Sequence, residues 1–474
     1  MSVICPGYTI PSRQVFADNK IPALYFEVKR RIKHELNSAQ FLSLTFDCWT
    51  SNAQQPYIGI TAHTINSDWA LQTYRMAGTI LDVDHTATNL KDIIESTLKD
   101  WNIPISKVSA ATTDNGTNVI KAVQLMGLNH ISCFGHTLNN GVTSSMNLNP
   151  VKTIISNISK IRYTFHFSSN LRRLLQDAQI KLDLPQKVMP ASCVTRWWTN
   201  LPLKSRKIKC LPNCNEQKLI LVMCKIFEPL KILGGHMGTE KIVTASSVWP
   251  VYTKLGKTLL HTNSSNFTCA LTQEKSSRAK NSENFEDSEQ LFPILSQCTL
   301  MDNNTDSYFN TNEVCGDISD DDVDTHVDSV NTIDNLLDHI ENHLKDDINR
   351  PFHKRYINKE ESRMFLQKIC FLDPRYKSAY IDPRDIDTVK ISIQLEMDEI
   401  GNQAKIKEIK QHFWETDCPV MNNVTDEALN QIELEKYVSL PFISLDADPL
   451  QWWKLYHSQL PTVSLLAMKY LCIP

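Results

Sequence analysis

Two aspartates close apolar, β-forming runs, and together they restrict what this chain can fold into. Asp47 sits in Leu42-Ser43-Leu44-Thr45-Phe46-Asp47-Cys48-Trp49-Thr50-Ser51, and Asp114 ends Val108-Ser109-Ala110-Ala111-Thr112-Thr113-Asp114 before the polar turn Asn115-Gly116-Thr117-Asn118. Short runs rich in β-branched and apolar residues read as buried strands. A carboxylate carried by such a strand must be hydrated, paired or metal-bound, because burying it bare is costly. A sheet that sets both strands side by side would offer two hard oxygen ligands to one Mg²⁺. Taken singly, Asp47 also fits a hydrogen-bonding strand residue, and Asp114 the N-cap of the helix after Asn115.

The order of elements supports such a sheet. Phe41 to Trp49, Tyr57 to Ile65 and Trp69 to Ile80 read as strands, the last two joined through Asn66-Ser67-Asp68. A helix from Ala87 to Trp101 follows, then a strand from Val108 to Thr113 and a helix from Thr117 to Leu125. A short strand from His130 to Cys133 comes next, with helix from His136 onward. Three strands, helix, strand, helix, strand is the order of an RNase H-like mixed sheet, and right-handed crossovers would bring the Asp47 and Asp114 strands together. An unrelated α/β fold with the same strand count fits the periodicity as well.

The 474 residues, 42% hydrophobic, suffice for a large core in two or three domains. Residues 1–40 read as a leader and a helix, and 41–150 as the first part of the α/β core. The stretches 151–261 and 331–425 read as two parts of a helical insertion, separated by an acidic, aperiodic loop at 262–330. Residues 426–474 read as a final helical region packing on the core. A net charge of −4 gives no overall basic field, so any contact with DNA must use local patches. No apolar run is long enough to span a membrane and the first residues are no signal peptide, so no membrane partner is expected. Thirteen scattered cysteines read as reduced thiols of cytosol or nucleus. Cys210 and Cys214 form the only close pair, which cannot close a tetrahedral zinc site, so no zinc site is expected.

Blocks in order along nearly the whole chain resemble the hAT superfamily of transposases, and especially domesticated BED-finger proteins derived from them. They are Tyr8-Thr9-Ile10-Pro11-Ser12-Arg13, Thr45-Phe46-Asp47-Cys48-Trp49-Thr50-Ser51, His85-Thr86-Ala87-Thr88-Asn89-Leu90 and Thr113-Asp114-Asn115-Gly116-Thr117-Asn118. Further on come Cys133-Phe134-Gly135-His136, Thr195-Arg196-Trp197, Leu372-Asp373-Pro374-Arg375-Tyr376-Lys377 and the block from Trp452 to Pro474. The resemblance implies an α/β, RNase H-like sheet interrupted by a large α-helical insertion, with a C-terminal dimerisation region. It also implies DNA cutting and joining by two aspartates and a glutamate around divalent metal. Asp47 and Asp114 match the two aspartates and metal ligands, and Cys133 and His136 the pair near the active site. Arg196 and Trp197 match the residues that handle DNA ends, where an indole would stack on an extruded base.

The family's glutamate follows the block that here ends at Pro474, and the BED finger that would precede Tyr8 is absent from this sequence. The expectation is therefore a nuclear, catalytically silent protein that binds Mg²⁺ weakly, associates with DNA and forms a homodimer or higher oligomer. Glu433 and Glu435 stand upstream of the expected glutamate position and are not expected to replace it. No small-molecule substrate is expected. The alternatives are a fragment of an active transposase and a protein-interaction scaffold without DNA contact.

Overall fold

The computed structural model describes residues 11–183, 186, 213–239, 242–261, 323–412 and 426–474. Helix α1 (Ile21–Ser38) leads into a meander of β1 (Leu42–Thr50), β2 (Pro56–Ile65) and β3 (Leu71–Ile80). Asn66 makes the β2–β3 reversal: its Oδ1 accepts from the Asp68 and Ala70 amides at 3.0 and 2.9 Å, while Trp69 takes a φ of 59°. Helix α2 (Ala87–Asp100) starts at Thr86, whose side chain accepts from the Asn89 amide, and buries Leu90, Ile94 and Leu98.

The α2 crossover delivers β4 (Val108–Thr113), and α3 (Thr117–Leu125) delivers β5 (His130–Ser132). The result is a five-stranded mixed sheet of order β3-β2-β1-β4-β5. β1 pairs antiparallel with β2 and parallel with β4, and β4 pairs parallel with β5. The β1–β4 register slips once: Leu42 lies opposite Val108, but Leu44 lies opposite Ala111. β4 thus carries one extra residue, a bulge that reverses which face its later side chains take.

The two faces of the sheet feed two cores. Leu42, Leu44, Phe46, Val108 and Ala111 pack with Leu36, Leu90, Ile94 and Leu98 from α1 and α2. Strand alternation turns Ser43, Thr45 and Asp47 to the opposite face. That side is covered by helices, beginning with α4 (Phe134–Met146), α5 (Asn149–Phe167), α6 (Ser169–Lys181), α7 (Cys214–Met237) and α8 (Ala245–Thr258). They continue as α9 (Val323–Phe352), α10 (Glu360–Phe371), α11 (Pro383–His412), α12 (Asp426–Ser439), α13 (Pro449–Tyr456) and α14 (Pro461–Leu471).

α9 begins at Val323, so its opening turns fall in the stretch expected to be loop. Val323, Val327 and Val330 carry a helical spacing there that the neighbouring acidic residues mask in the sequence. α4 likewise starts at Phe134, two residues before the expected His136, because Phe134 is itself core and packs on Phe352.

Three contacts tie the helices to one another. Gly141 of α4 lets α9 come so close that a Cβ there would stand 2.6 Å from the Ile348 carbonyl oxygen. The Leu372–Lys377 block is buried: Arg375 Nη2 pairs with Asp373 Oδ2 at 2.7 Å, and Ser246 Oγ donates to the same oxygen at 2.6 Å. Trp453 of α13 donates to the Leu372 carbonyl at 3.1 Å and stacks on Tyr437, so Trp452 and Trp453 are packing residues. The chain's last residues then return to the sheet. Ser43 Oγ donates to the Cys472 carbonyl at 2.8 Å and Thr112 Oγ1 to the Pro474 carbonyl at 3.4 Å.

Gly141→Ala must push α9 backbone aside, and a loss of about 1–3 kcal/mol is expected from such overpacking. Gly256→Ala, inside α8 with nothing within 4 Å of the added Cβ, should be neutral or gain up to about 1 kcal/mol. Paired thermal melts of the two variants check the close α4–α9 approach; equal melting temperatures would refute it.

Candidate metal and nucleic-acid site

Asp47 and Asp114 directly follow Phe46 and Thr113, which are register partners in the parallel β1–β4 pair. Both side chains lie on the face that receives the C-terminal residues, since Ser43 and Thr112 are of the same parity and bond there. The structure therefore brings the two aspartates together at the C-terminal ends of adjacent strands. Their charges act on each other. Burial lifts the Asp47 carboxyl above the usual carboxylate range and the Asp114 charge lifts it further, against an opposing pull from His136. Asp47 remains exposed and Asp114 half-buried, so a water-bearing ion has access.

Asp114 is not the helix cap. Gly116 is the N-cap of α3, and Asp114 Oδ1 accepts from the Gly116 amide at 3.2 Å. A side chain at 116 would crowd that same oxygen, also at 3.2 Å. Asp114 Oδ1 is thereby held in place by an amide.

Cys133 is the N-cap of α4 and His136 lies in its first turn. The two side chains are hydrogen-bonded to each other. Burial would raise the Cys133 thiol, but the bond to His136, its charge and the Gly135 and His136 amides together bring it below the ordinary thiol value. The same bond raises the His136 imidazole, against burial and with help from both carboxylates. His136 thus stands in the electrostatic field of the aspartates while bonded to Cys133. Cys48 faces the carboxylates differently: burial, then Asp114 and Asp47, push its thiol up to about 11.

Among the described residues, no three His, Cys, Asp or Glu side chains converge to hold an ion. Glu433 is engaged elsewhere, accepting from the Val463 amide at 2.7 Å at the start of α14, and Glu435 accepts from Gln431. Arg196 and Trp197 lie outside the described residues. Two hard carboxylates fit one Mg²⁺ that keeps most of its waters.

One aromatic pair escaped the sequence reading. Trp49, on the same strand as Asp47 and 45% exposed, stacks on Tyr57 of β2 with ring centroids 5.5 Å apart and planes 10° apart. Across from Asp47 in the register stands Gly59, and a Cβ there would meet the Trp49 ring at 3.0 Å. The glycine leaves room for that ring; its position in an apolar run was the available signal.

Residues 45–141 match the family model described as the ZBED1 RNase-like domain, and residues 433–474 the hAT family C-terminal dimerisation region. Zinc finger BED domain-containing protein 4 of Homo sapiens is 22% identical over 272 residues, 52% of this chain and 23% of that protein. Zinc finger BED domain-containing protein 6 of Homo sapiens is 26% identical over 212 residues, 42% of this chain and 22% of that protein. An AC transposase of Zea mays is 30% identical over 150 residues, 28% of this chain and 18% of that protein. The matches cover less than a quarter of each relative's length. The resemblance carried by the motifs holds: the chain is similar to hAT transposases and to BED-type proteins, at its sheet and at its C-terminal helices.

A raised Asp47 carboxyl means that its charged form costs stability above its folded-state titration and costs nothing below the ordinary carboxylate range. Asp47→Asn should therefore melt higher than the parent at neutral pH, and the gap should close as pH falls below that range. Carboxyl NMR should find Asp47 titrating lower in Asp114→Asn and higher in His136→Gln. An unmoved Asp47 in both variants would separate these side chains in space.

Proposed function

We propose that this chain is a nuclear, hAT transposase-derived protein with an RNase H-like sheet, which associates with DNA and self-associates but does not itself cut DNA. The observation that carries the reading is the carboxylate pair, Asp47 beside Asp114 at the ends of parallel strands, with no further carboxylate joining it among the described residues. Strand order supports the RNase H-like assignment, since a three-stranded meander followed by two parallel strands is the order expected of that sheet.

Two carboxylates suit one magnesium ion, whereas in-line phosphoryl transfer by two metals needs ligands that clamp both. When bound, Mg²⁺ would supply electrostatic attraction for a phosphodiester. This chain's own residues contribute position: Asp47 and Asp114 would hold the ion, and the Gly116 amide keeps Asp114 oriented. His136, its imidazole raised by the bond to Cys133 and by the two aspartates, lies within the same field. The exposed Trp49–Tyr57 stack offers a flat apolar face next to the pair, of the kind on which bases stack.

Self-association draws on the match of residues 433–474 to a dimerisation region. Within it, Phe442 and Leu455 remain 54% and 73% exposed, while Trp452, Trp453 and Tyr470 are consumed in the core. Exposed apolar residues in such a region are the natural contact points for a second copy. No helix among the described residues is long and apolar enough to cross a membrane.

A second reading, part of an active magnesium-dependent transposase, is favoured by one contact. The Pro474 carbonyl meets Thr112 Oγ1 at 3.4 Å, two residues before Asp114 and on its face. Residues following Pro474 in a longer product would enter beside the pair. A reading frame downstream of Pro474 that encodes a glutamate is what this alternative requires.

Purified chain with Mg²⁺ or Mn²⁺ is expected to leave a terminal-repeat oligonucleotide uncut while binding it with an affinity that falls steeply with salt. Strand cleavage would overturn catalytic silence, and a flat salt response would favour a protein-interaction scaffold without DNA contact. By light scattering, Leu455→Glu together with Phe442→Glu should shift the parent's oligomer toward monomer. A parent that is monomeric at all concentrations would end the self-association reading.

A further inference from the structure

Where β5 meets the helices lies a small notch, about 10 Å³ in volume and open to solvent, lined by His130, Ile131, Ser132, Arg355, Tyr356, Ser362, Phe365 and Leu366. Its polar lining is unusual in charge. Arg355 is half-buried, and its hydrogen bond is to a neutral group, Thr137 Oγ1 at 2.9 Å. Among the described residues it has no carboxylate partner within ion-pair reach. Guanidinium groups removed from water are normally matched to an anion, because an uncompensated buried charge is expensive. Tyr356 cannot serve, since its hydroxyl donates to the Ser132 carbonyl at 3.0 Å and burial holds it protonated. His130 Nε2 contacts Thr113 Oγ1 at 2.9 Å, and burial foremost, with the Lys359 and Arg355 charges, keeps its ring neutral. Glu360 and Glu361, the nearest acids along the chain, do not line the notch.

The notch adjoins the carboxylate pair. Thr113, which His130 touches, immediately precedes Asp114, and the charges acting on His130 include Asp114 as well as Lys359 and Arg355. A cation without a counter-anion therefore sits one strand away from two carboxylates. The notch itself holds little more than one water, so a phosphate would rest at its mouth against the half-exposed guanidinium.

We propose that Arg355, with Ser132 and Ser362 lining the notch and Lys359 at its approach, is a seat for a backbone phosphate of a polynucleotide, next to the Asp47–Asp114 pair. This deepens the DNA-association reading and rests on it for the identity of the ligand. A guanidinium fork matches phosphate geometry and the Ser362 hydroxyl can donate to its oxygens, while Ser132, whose hydroxyl donates to Asn115 Oδ1 at 2.6 Å, only lines the notch. The arrangement also gives a near-neutral chain the local positive patch that polynucleotide contact requires.

The test is anisotropy of a labelled oligonucleotide across a salt series, with Arg355→Ala, Arg355→Lys and Ser362→Asp. Ser362 lies in the first turn of α10, where an acidic residue is well tolerated, so Ser362→Asp should keep the fold while repelling phosphate. Arg355→Ala and Ser362→Asp should each weaken binding about tenfold, alike for unrelated sequences, and Arg355→Ala should flatten the salt slope by about one. Arg355→Lys should recover part of both. Parent-like affinity and slope in Arg355→Ala and Ser362→Asp would overturn the seat. Inorganic phosphate provides the second arm: it should raise the parent's melting temperature and not that of Ser362→Asp. If phosphate stabilises the parent alone while no oligonucleotide binds, the seat stands and the polynucleotide reading falls; if phosphate stabilises both proteins equally, the seat falls.

Discussion

One extra residue in β4 decides which way Asp114 faces. Leu42 lies opposite Val108 and Leu44 opposite Ala111, so three steps along β4 match two along β1. In an even register Asp47 would have stood level with Thr113, and Asp114 would have taken the other face. The bulge keeps Val108 and Ala111 both in the core beneath the sheet and yet turns Thr112 and Asp114 toward Asp47. Apolar packing pins the arrangement, since slipping it would send Leu44 and Phe46 into the polar face. The carboxylate pair is thus a by-product of where hydrophobic side chains must go, which makes it rigid without any bond between the aspartates.

The helices on the opposite side hold that face at a fixed depth. Glu396 of α11 pairs with Lys368 of α10 and with Lys469 of α14, and also accepts from Tyr470. Burial opposes its charge, but the two lysines keep the carboxyl below its ordinary value. Such partly buried pairs contribute modestly to stability, yet they specify one arrangement of the elements that carry them. α14 is one of those elements, and its end delivers Cys472 and Pro474 to Ser43 and Thr112. The segment matching a dimerisation region is therefore also a wall of the candidate site. A second copy docking on Phe442 or Leu455 would press on the same body that lies against the sheet.

Much of this was legible in the sequence because local chemistry and burial agreed. β4 and α3 fall where the pattern predicts, bounded by Pro104 and by the Gly116 turn. Two later motif blocks are structural as well: Trp452 and Trp453 are buried, and Arg375 ties its own turn through Asp373. What escaped the sequence depends on register or on distance along the chain. The bulge leaves no mark in Val108-Ser109-Ala110-Ala111, since small residues fit either face. The start of α9 was hidden because aspartates interleave its valines. Arg355 stands far from Thr137 and His130 in sequence, and only the packing of α9 on α4, admitted by Gly141, brings it beside the sheet.

The juxtaposition of opposite charges bears on how a chain of net charge −4 could hold a polyanion. The two aspartates alone would repel phosphate, and a divalent ion bound to them would turn that repulsion into attraction only at the pair itself. Attraction beyond that point has to come from cations already fixed by the fold and not neutralised by its own carboxylates. Several lysines fail that condition: Lys29 is tied to Asp100, and Lys368 and Lys469 to Glu396. Arg355, bonded to a neutral hydroxyl, meets it. Because field lines concentrate where low-dielectric walls enclose a charge, one uncompensated guanidinium in a notch outweighs several solvated lysines elsewhere. Were this fold to hold a polyanion, a few unpaired charges close to the carboxylate pair would matter more than the net charge.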